Sequence, residues 1–197
     1  IHRLRLEGRV DEIRGSDLSF DLSETRLLVE TVAGFELDEP TLSRLHGRTD
    51  GWAVGLQLAG LSIRHSSDVT RFVEDFDGSD VLVAEYLTRE VLETFDTRTR
   101  DFVTSTSILP WLSVELCAAV VDDMTPSEIE EMLVRLEQDL IFIVSSGPQR
   151  RARYHQLFAD LVRNTLRLED RDRERDLRRR AAAFLATNDN VAAAVEQ

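Results

Sequence analysis

Lysine is absent from this chain: all 24 of its basic residues are arginine. Within these residues that excludes a P-loop phosphate lysine, Schiff-base chemistry and the strand lysine of a protein kinase. Cysteine is nearly absent too. Cys117 stands alone, so no intrachain disulfide and no cysteine-based metal site can form. With no signal peptide in the sequence, this usage fits a reducing cytoplasm. Cys117 lies in the run Leu116-Cys117-Ala118-Ala119-Val120-Val121 and is expected to be buried and inert. Long apolar runs are missing as well. The longest, 51–63, is shorter than the ~20 residues that span a bilayer, so no membrane partner is expected. Positive charge is scarce: the formal net charge is −13. A nucleic-acid binder presents a basic face, so DNA or RNA is disfavoured as a direct partner, and the acidic surface serves solubility.

The residues of enzyme chemistry are equally thin. His2, His46, His65 and His155 lie far apart, and none has a carboxylate or thiol at metal-ligand spacing. There is no nucleophile elbow and no glycine-rich phosphate loop. The acid pairs Glu130-Glu131 and Asp122-Asp123 read as solvated helix ends or loops. Neither a catalytic residue nor a metal ligand is assigned, and this segment is not expected to be an enzyme.

What is present is a mainly helical pattern. Hydrophobic residues make up 42% and charged residues 31%, which places the chain among globular rather than disordered sequences. Residues 1–20 read as a short extended segment, with Leu4, Leu6, Val10 and Ile13 alternating with charge. A lone strand with no partner in its own sequence suggests the trailing edge of something larger. From Asp21 the period turns helical, opened by Asp21 and Glu24 as a capping box. Asp38 caps a second helix, with Pro40 in its first turn and Gly47 expected just past its end. Residues 50–61 form a helix apolar nearly all round, and therefore buried. Gly51, Gly55 and Ala59 mark one small stripe on it.

Further helices are expected over 69–76, 81–95, 97–108, 113–121 and 126–138. Gly78-Ser79-Asp80 is the preferred boundary, and Thr125-Pro126-Ser127-Glu128 is a capping box. Residues 140–144 are β-rich, 145–148 carry turn chemistry and 151–155 can return as a second strand. Three helices followed by a hairpin is the winged-helix pattern. A helix follows from about His155 to Leu168. The charged stretch 169–180 reads as a solvated helix face with the favourable pairs Glu169/Arg173, Glu174/Arg178 and Asp176/Arg180. Residues 181–185 and 191–195 read as two short alanine-rich helices.

Two residues invite opposed readings. Periodicity makes His155 and Trp52 core residues. Four ordered segments argue otherwise: Leu4 to Ile13 with Asp17 to Phe20; Arg48-Thr49-Asp50-Gly51-Trp52-Ala53-Val54-Gly55-Leu56-Gln57-Leu58-Ala59; Thr106-Ser107-Ile108-Leu109; and Arg153-Tyr154-His155-Gln156-Leu157-Phe158-Ala159-Asp160-Leu161. Through them the chain resembles the large LuxR-type transcription regulators, the MalT-like branch of the STAND signalling ATPases.

The resemblance implies a helical lid bundle followed by a winged-helix domain with one β-hairpin. Residues 1–20 would close a nucleotide-binding core, 21–68 form the lid, 69–168 a linking helix with the winged helix, and 169–197 begin an arm and sensor repeats. It implies a nucleotide site in which the lid's Gly-x-Pro motif maps onto Gly51, Trp52 and Ala53, with alanine in place of proline. The winged-helix histidine that reaches the β-phosphate maps onto His155. The implied cofactors are ADP or ATP with Mg in a full-length protein, itself a slow signalling ATPase. None is expected for the isolated segment. The implied partners are an upstream P-loop core, downstream sensor repeats and a C-terminal helix-turn-helix that alone touches DNA, with self-association on activation.

Two other readings stand beside it. A stand-alone acidic helical adaptor would leave Trp52 and His155 as core. A winged-helix DNA binder would read through 126–138, where Glu128, Glu130, Glu131 and Glu137 face only Arg135 and would repel phosphate.

Overall fold

The structure is a computed structural model and describes residues 18–139, 143–146 and 151–187. The expected N-terminal strand over 1–17, most of the β-rich run, the turn tip and the segment 188–197 lie outside the described residues. The described chain is mainly helical with one two-stranded antiparallel sheet.

The helices begin where short polar side chains satisfy their first free N–H groups. In α1 (Leu22–Ala33), Asp21 Oδ1 accepts from the Ser23 and Glu24 amides at 2.8 Å, and Glu24 accepts back from the Asp21 amide at 2.9 Å. Asp38 caps α2 (Glu39–Thr49), and that helix runs through Gly47 instead of stopping there. The left-handed conformation that ends a helix is taken by Asp50, φ 47°, and Gly51, φ 71°, three and four residues later.

Helix α3 (Ala53–Ile63) follows at once and packs along α1. The small stripe is only partly used. Gly51 precedes the helix, Gly55 meets Trp52 and Leu157, and Gly60, off the stripe, meets Val32 of α1. Helix α4 (Val69–Asp75) lies on α2, and Asp80 caps α5 (Val81–Glu90). The helix expected over 81–95 breaks at Val91 into a 3₁₀ turn, Leu92–Thr94.

Helices α6 (Thr97–Thr106), α7 (Val114–Val120) and α8 (Pro126–Asp139) lead to strands β1 (Ile143–Ser146) and β2 (Arg151–Tyr154), paired from Ile143↔Tyr154 to Ser146↔Arg151. The Leu112 amide donates to the Ala152 carbonyl at 2.7 Å, tying the α6–α7 connection to β2. The expected box at the start of α8 forms: Glu128 accepts from the Thr125 amide at 2.8 Å.

Helix α9 (Gln156–Glu169) is the pivot of the fold. Its apolar face carries Leu157, Phe158, Leu161, Val162 and Leu166, all buried, and it touches α2, α5, α6 and α10. The loop before α5 presses on its first turn. A Cβ on Gly78 would lie 1.9 Å from the Leu157 carbonyl oxygen, so only glycine fits.

The C-terminal reading needs correction. Residues expected as a solvated face followed by a short helix form one continuous helix, α10 (Arg171–Thr187). Glu174, Leu177, Ala181 and Leu185 point inward along it. The Glu174/Arg178 pair forms at 3.0 Å and Asp176/Arg180 at 3.8 Å, but Arg173 reaches Asp101 at 2.6 Å and Arg180 grips Asp122 through two nitrogens. The charges of this helix therefore fasten it to α6 and to the end of α7. Asp122 is exposed, as read, and is also the partner of Arg180 in that attachment.

Candidate functional site

The junction between α2 and α9 is built from both ends of the chain. The left-handed turn Asp50-Gly51 stops α2, and Trp52 then opens α3. Gly51 is needed for a second reason: the strand-like Phe20 runs against it, its amide donating to the Gly51 carbonyl at 2.8 Å, and a Cβ would sit 2.3 Å from the Phe20 oxygen. From the other side, β2 ends at Tyr154 and His155 is the N-cap of α9. Tyr154 is itself anchored. Its hydroxyl lies 2.9 Å from that of Thr106, both buried, and burial pushes the phenol pKa well up.

His155 is 3% exposed. Its Nε2 lies 2.7 Å from the Thr49 carbonyl oxygen. A carbonyl only accepts, so Nε2 carries the proton and donates. The ring stands edge-on to Trp52, centroids 5.6 Å apart at 67°, and Trp52 in turn leans on Tyr86 at 5.9 Å. Burial holds the imidazole pKa below its ordinary value, opposed by the Thr49 bond and by Asp50. At neutral pH the ring is neutral.

Beside it, Arg153 donates to Asp50 Oδ2 at 2.9 Å, and the same oxygen is 4.0 Å from His155 Nε2. Arg153 and Asp50 are 29% and 32% exposed at their side chains, so this pair forms the open edge of the junction.

All four residues assigned from the sequence, Gly51, Trp52, Ala53 and His155, thus come to one place, with His155 and Trp52 in ring contact. Thr49, Asp50, Arg153 and Tyr86 were not assigned. Arg153 and His155 are two apart at the end of a strand, a spacing that could have suggested a shared side. Nothing local points to Asp50, 103 residues from its arginine. Among the described residues no cluster of three His, Cys, Asp or Glu could hold a metal ion, and no helix is long and apolar enough to cross a membrane.

The expected recognition helix α8 exposes Glu130, Glu131 and Glu137, while Arg135 donates to Thr99 and lies 3.7 Å from Asp96. Its one basic side chain, half exposed, is already paired within its own domain.

Three helices, a hairpin bridged by Leu112 and the buried α9 define a winged-helix domain. Comparison with known proteins gives its type: residues 88–175 match the MalT winged helix domain. Over those residues the chain is similar to a MalT winged helix domain, and similarity to MalT-like regulators extends beyond them. It is 27% identical over 183 residues to the HTH-type transcriptional regulator MalT of Vibrio campbellii, covering 91% of this chain and 20% of that protein. With MalT of Klebsiella pneumoniae it shares 29% over 175 residues, 86% of this chain and 19% of that protein. With the serine/threonine-protein kinase PknK of Mycobacterium tuberculosis it shares 29% over all 197 residues, 18% of that protein. The chain spans about a fifth of the length of these curated relatives.

Proposed function

We propose that this chain is the regulatory segment of an ATP/ADP-switched transcription regulator of the LuxR family, MalT-like in build. Its lid, 21–68, and winged-helix region, 69–168, close on ADP in the resting state. The observation that carries the reading is the meeting of Trp52, between Gly51 and Ala53, with His155 from the far end of the winged helix. The residues fit such a nucleotide. The half-buried Trp52 indole is an aromatic side chain of the kind that packs on a base. The Arg153 guanidinium already holds one anionic oxygen, that of Asp50, in charge-assisted contact. Bound ADP would supply phosphate anions to such donors.

In this reading Mg, ATP and slow hydrolysis belong to an upstream P-loop core. The arm from 169 onward leads to sensor repeats, DNA is met through a C-terminal helix-turn-helix, and the activated protein self-associates. The test is the nucleotide content of the full-length protein, wild type beside His155→Ala. About one ADP per chain in the wild type, lost in the variant, supports the clamp. No nucleotide in either removes it and leaves the acidic adaptor as the better reading.

A second reading has one observation in its favour: the similarity to PknK runs the whole length of this chain. The segment would then regulate a kinase. Phosphotransfer to serine or threonine by the full-length protein would separate it from the first.

A further inference from the structure

We propose that Asp50 competes with a nucleotide phosphate for Arg153, the anion-binding residue of the junction; this rests on the nucleotide reading above. The geometry points to it in three ways. First, Asp50 Oδ2 accepts from Arg153 at 2.9 Å from the opposite side of the junction, with His155 Nε2 4.0 Å away. The imidazole N–H is committed to the Thr49 carbonyl at 2.7 Å, so Arg153 is the donor that supplies the charge.

Second, the carboxylate is presented by a backbone that an L-residue rarely adopts. Asp50 sits at φ 47° and is the one non-glycine residue with positive φ among the described residues. Third, the pair is about one-third exposed whereas His155 is sealed, so a ligand arriving at the junction meets Arg153 before the imidazole. Arg153 gives one terminal nitrogen to Asp50 and the other to the Tyr154 carbonyl at 3.1 Å, so a phosphate oxygen drawn to this guanidinium contends with Asp50 for it and lies near that negative charge. Asp50 therefore lowers nucleotide affinity and holds the lid to the winged helix while the nucleotide is away. The ion pair and the bound phosphate are alternatives at one guanidinium.

The experiment is equilibrium titration of ADP into full-length protein freed of nucleotide, for wild type, Asp50→Asn, Arg153→Ala and the double variant. Asn keeps the size of Asp50 and tolerates the left-handed backbone. Circular dichroism establishes that each variant is folded before it is titrated. Asp50→Asn should tighten ADP about two- to fivefold, the range an ion pair of this exposure allows. Arg153→Ala should weaken it about tenfold, the loss of one charge-assisted contact. In the double variant the gain from Asn should vanish, because the residue being contested is gone.

Weaker or unchanged binding in Asp50→Asn, or a gain that persists without Arg153, overturns the inference while the nucleotide reading stands. Absence of ADP binding in the wild type overturns both. Should Arg153→Ala fail to fold, Arg153→Lys replaces it. Lysine keeps charge without the fork and should weaken ADP while still letting Asp50→Asn tighten it.

Discussion

The carbonyl of Thr49, at the end of one helix, is 2.7 Å from the ring nitrogen of His155, at the start of another 106 residues away. The contact closes the chain's two principal motifs on each other. It is sealed by Trp52 above and flanked by the Asp50–Arg153 pair.

The neutrality of that ring has a pH consequence. Burial lowers the folded-state pKa of His155 below 6.5, so the unfolded chain takes up a proton that the folded chain resists. Stability from this residue is complete above about pH 6.5 and is lost as pH falls below that value. Urea midpoints between pH 8 and 5 should therefore fall more steeply for the wild type than for His155→Gln. Equal slopes would show that the imidazole is not held neutral.

Gly78 and Gly47 should respond to alanine in opposite directions. At Gly78 the added Cβ has the α9 backbone 1.9 Å away, and a loss of about 2–3 kcal/mol is expected. At Gly47, inside α2, the Cβ meets nothing within 4 Å, and helix propensity should yield a gain of about 0.5–1 kcal/mol. Denaturant unfolding of both variants checks the pair.

Glu174 is 7% exposed and accepts from Arg167 at 3.0 Å and Arg178 at 3.0 Å. The Arg167 guanidinium holds its carboxyl below the ordinary carboxylate range, with Arg178 adding to the effect. Its contribution is present above about pH 4.5 and is lost as pH falls through the lowered folded value. Glu174→Gln should cost about 1–2 kcal/mol at pH 7 and progressively less as pH falls below 4.5. A cost that does not shrink on acidification would rule out the ionic origin.

Cys117 is buried and burial pushes its thiol up to about 12. The folded protein should resist maleimide, and labelling should appear only with global unfolding. Rapid labelling under native conditions would place the thiol elsewhere than in the α7 core.

The helix starts were legible because capping is local. Asp21 with Glu24, Asp38 accepting from the Thr41 amide beside Pro40, and Thr125 with Glu128 each satisfy amides two or three residues away, and each forms as read. Helix ends were less legible. Gly47 looked like a stop, yet α2 ran on to Asp50, since a left-handed aspartate is a choice the surrounding junction imposes. The charged stretch after residue 169 was legible only in part for a related reason: two of its i,i+4 pairs form, but its attachments were not visible. Its i,i+4 spacing is the same whether the side chains face water or neighbours, and only the position of α6 and α7 directs Arg173 to Asp101 and Arg180 to Asp122.

By itself the sequence determined a mainly helical chain without lysine or disulfide, the hairpin after three helices, and Gly51, Trp52, Ala53 and His155 as the residues to watch. The helical pattern and the hairpin rest on composition, periodicity and motifs whose partners lie within a few positions; the four residues rest on the resemblance to the MalT-like regulators, because periodicity alone made Trp52 and His155 core. Tertiary structure alone decided that those residues meet, that Asp50 and Arg153 join them, and that the imidazole is neutral. Bringing positions 50 and 153 together depends on how α9 seats against α2 and on the glycine that lets the loop before α5 press upon it. Charge, burial and distance at that junction are properties of the packed helices, and no local run of residues encodes them.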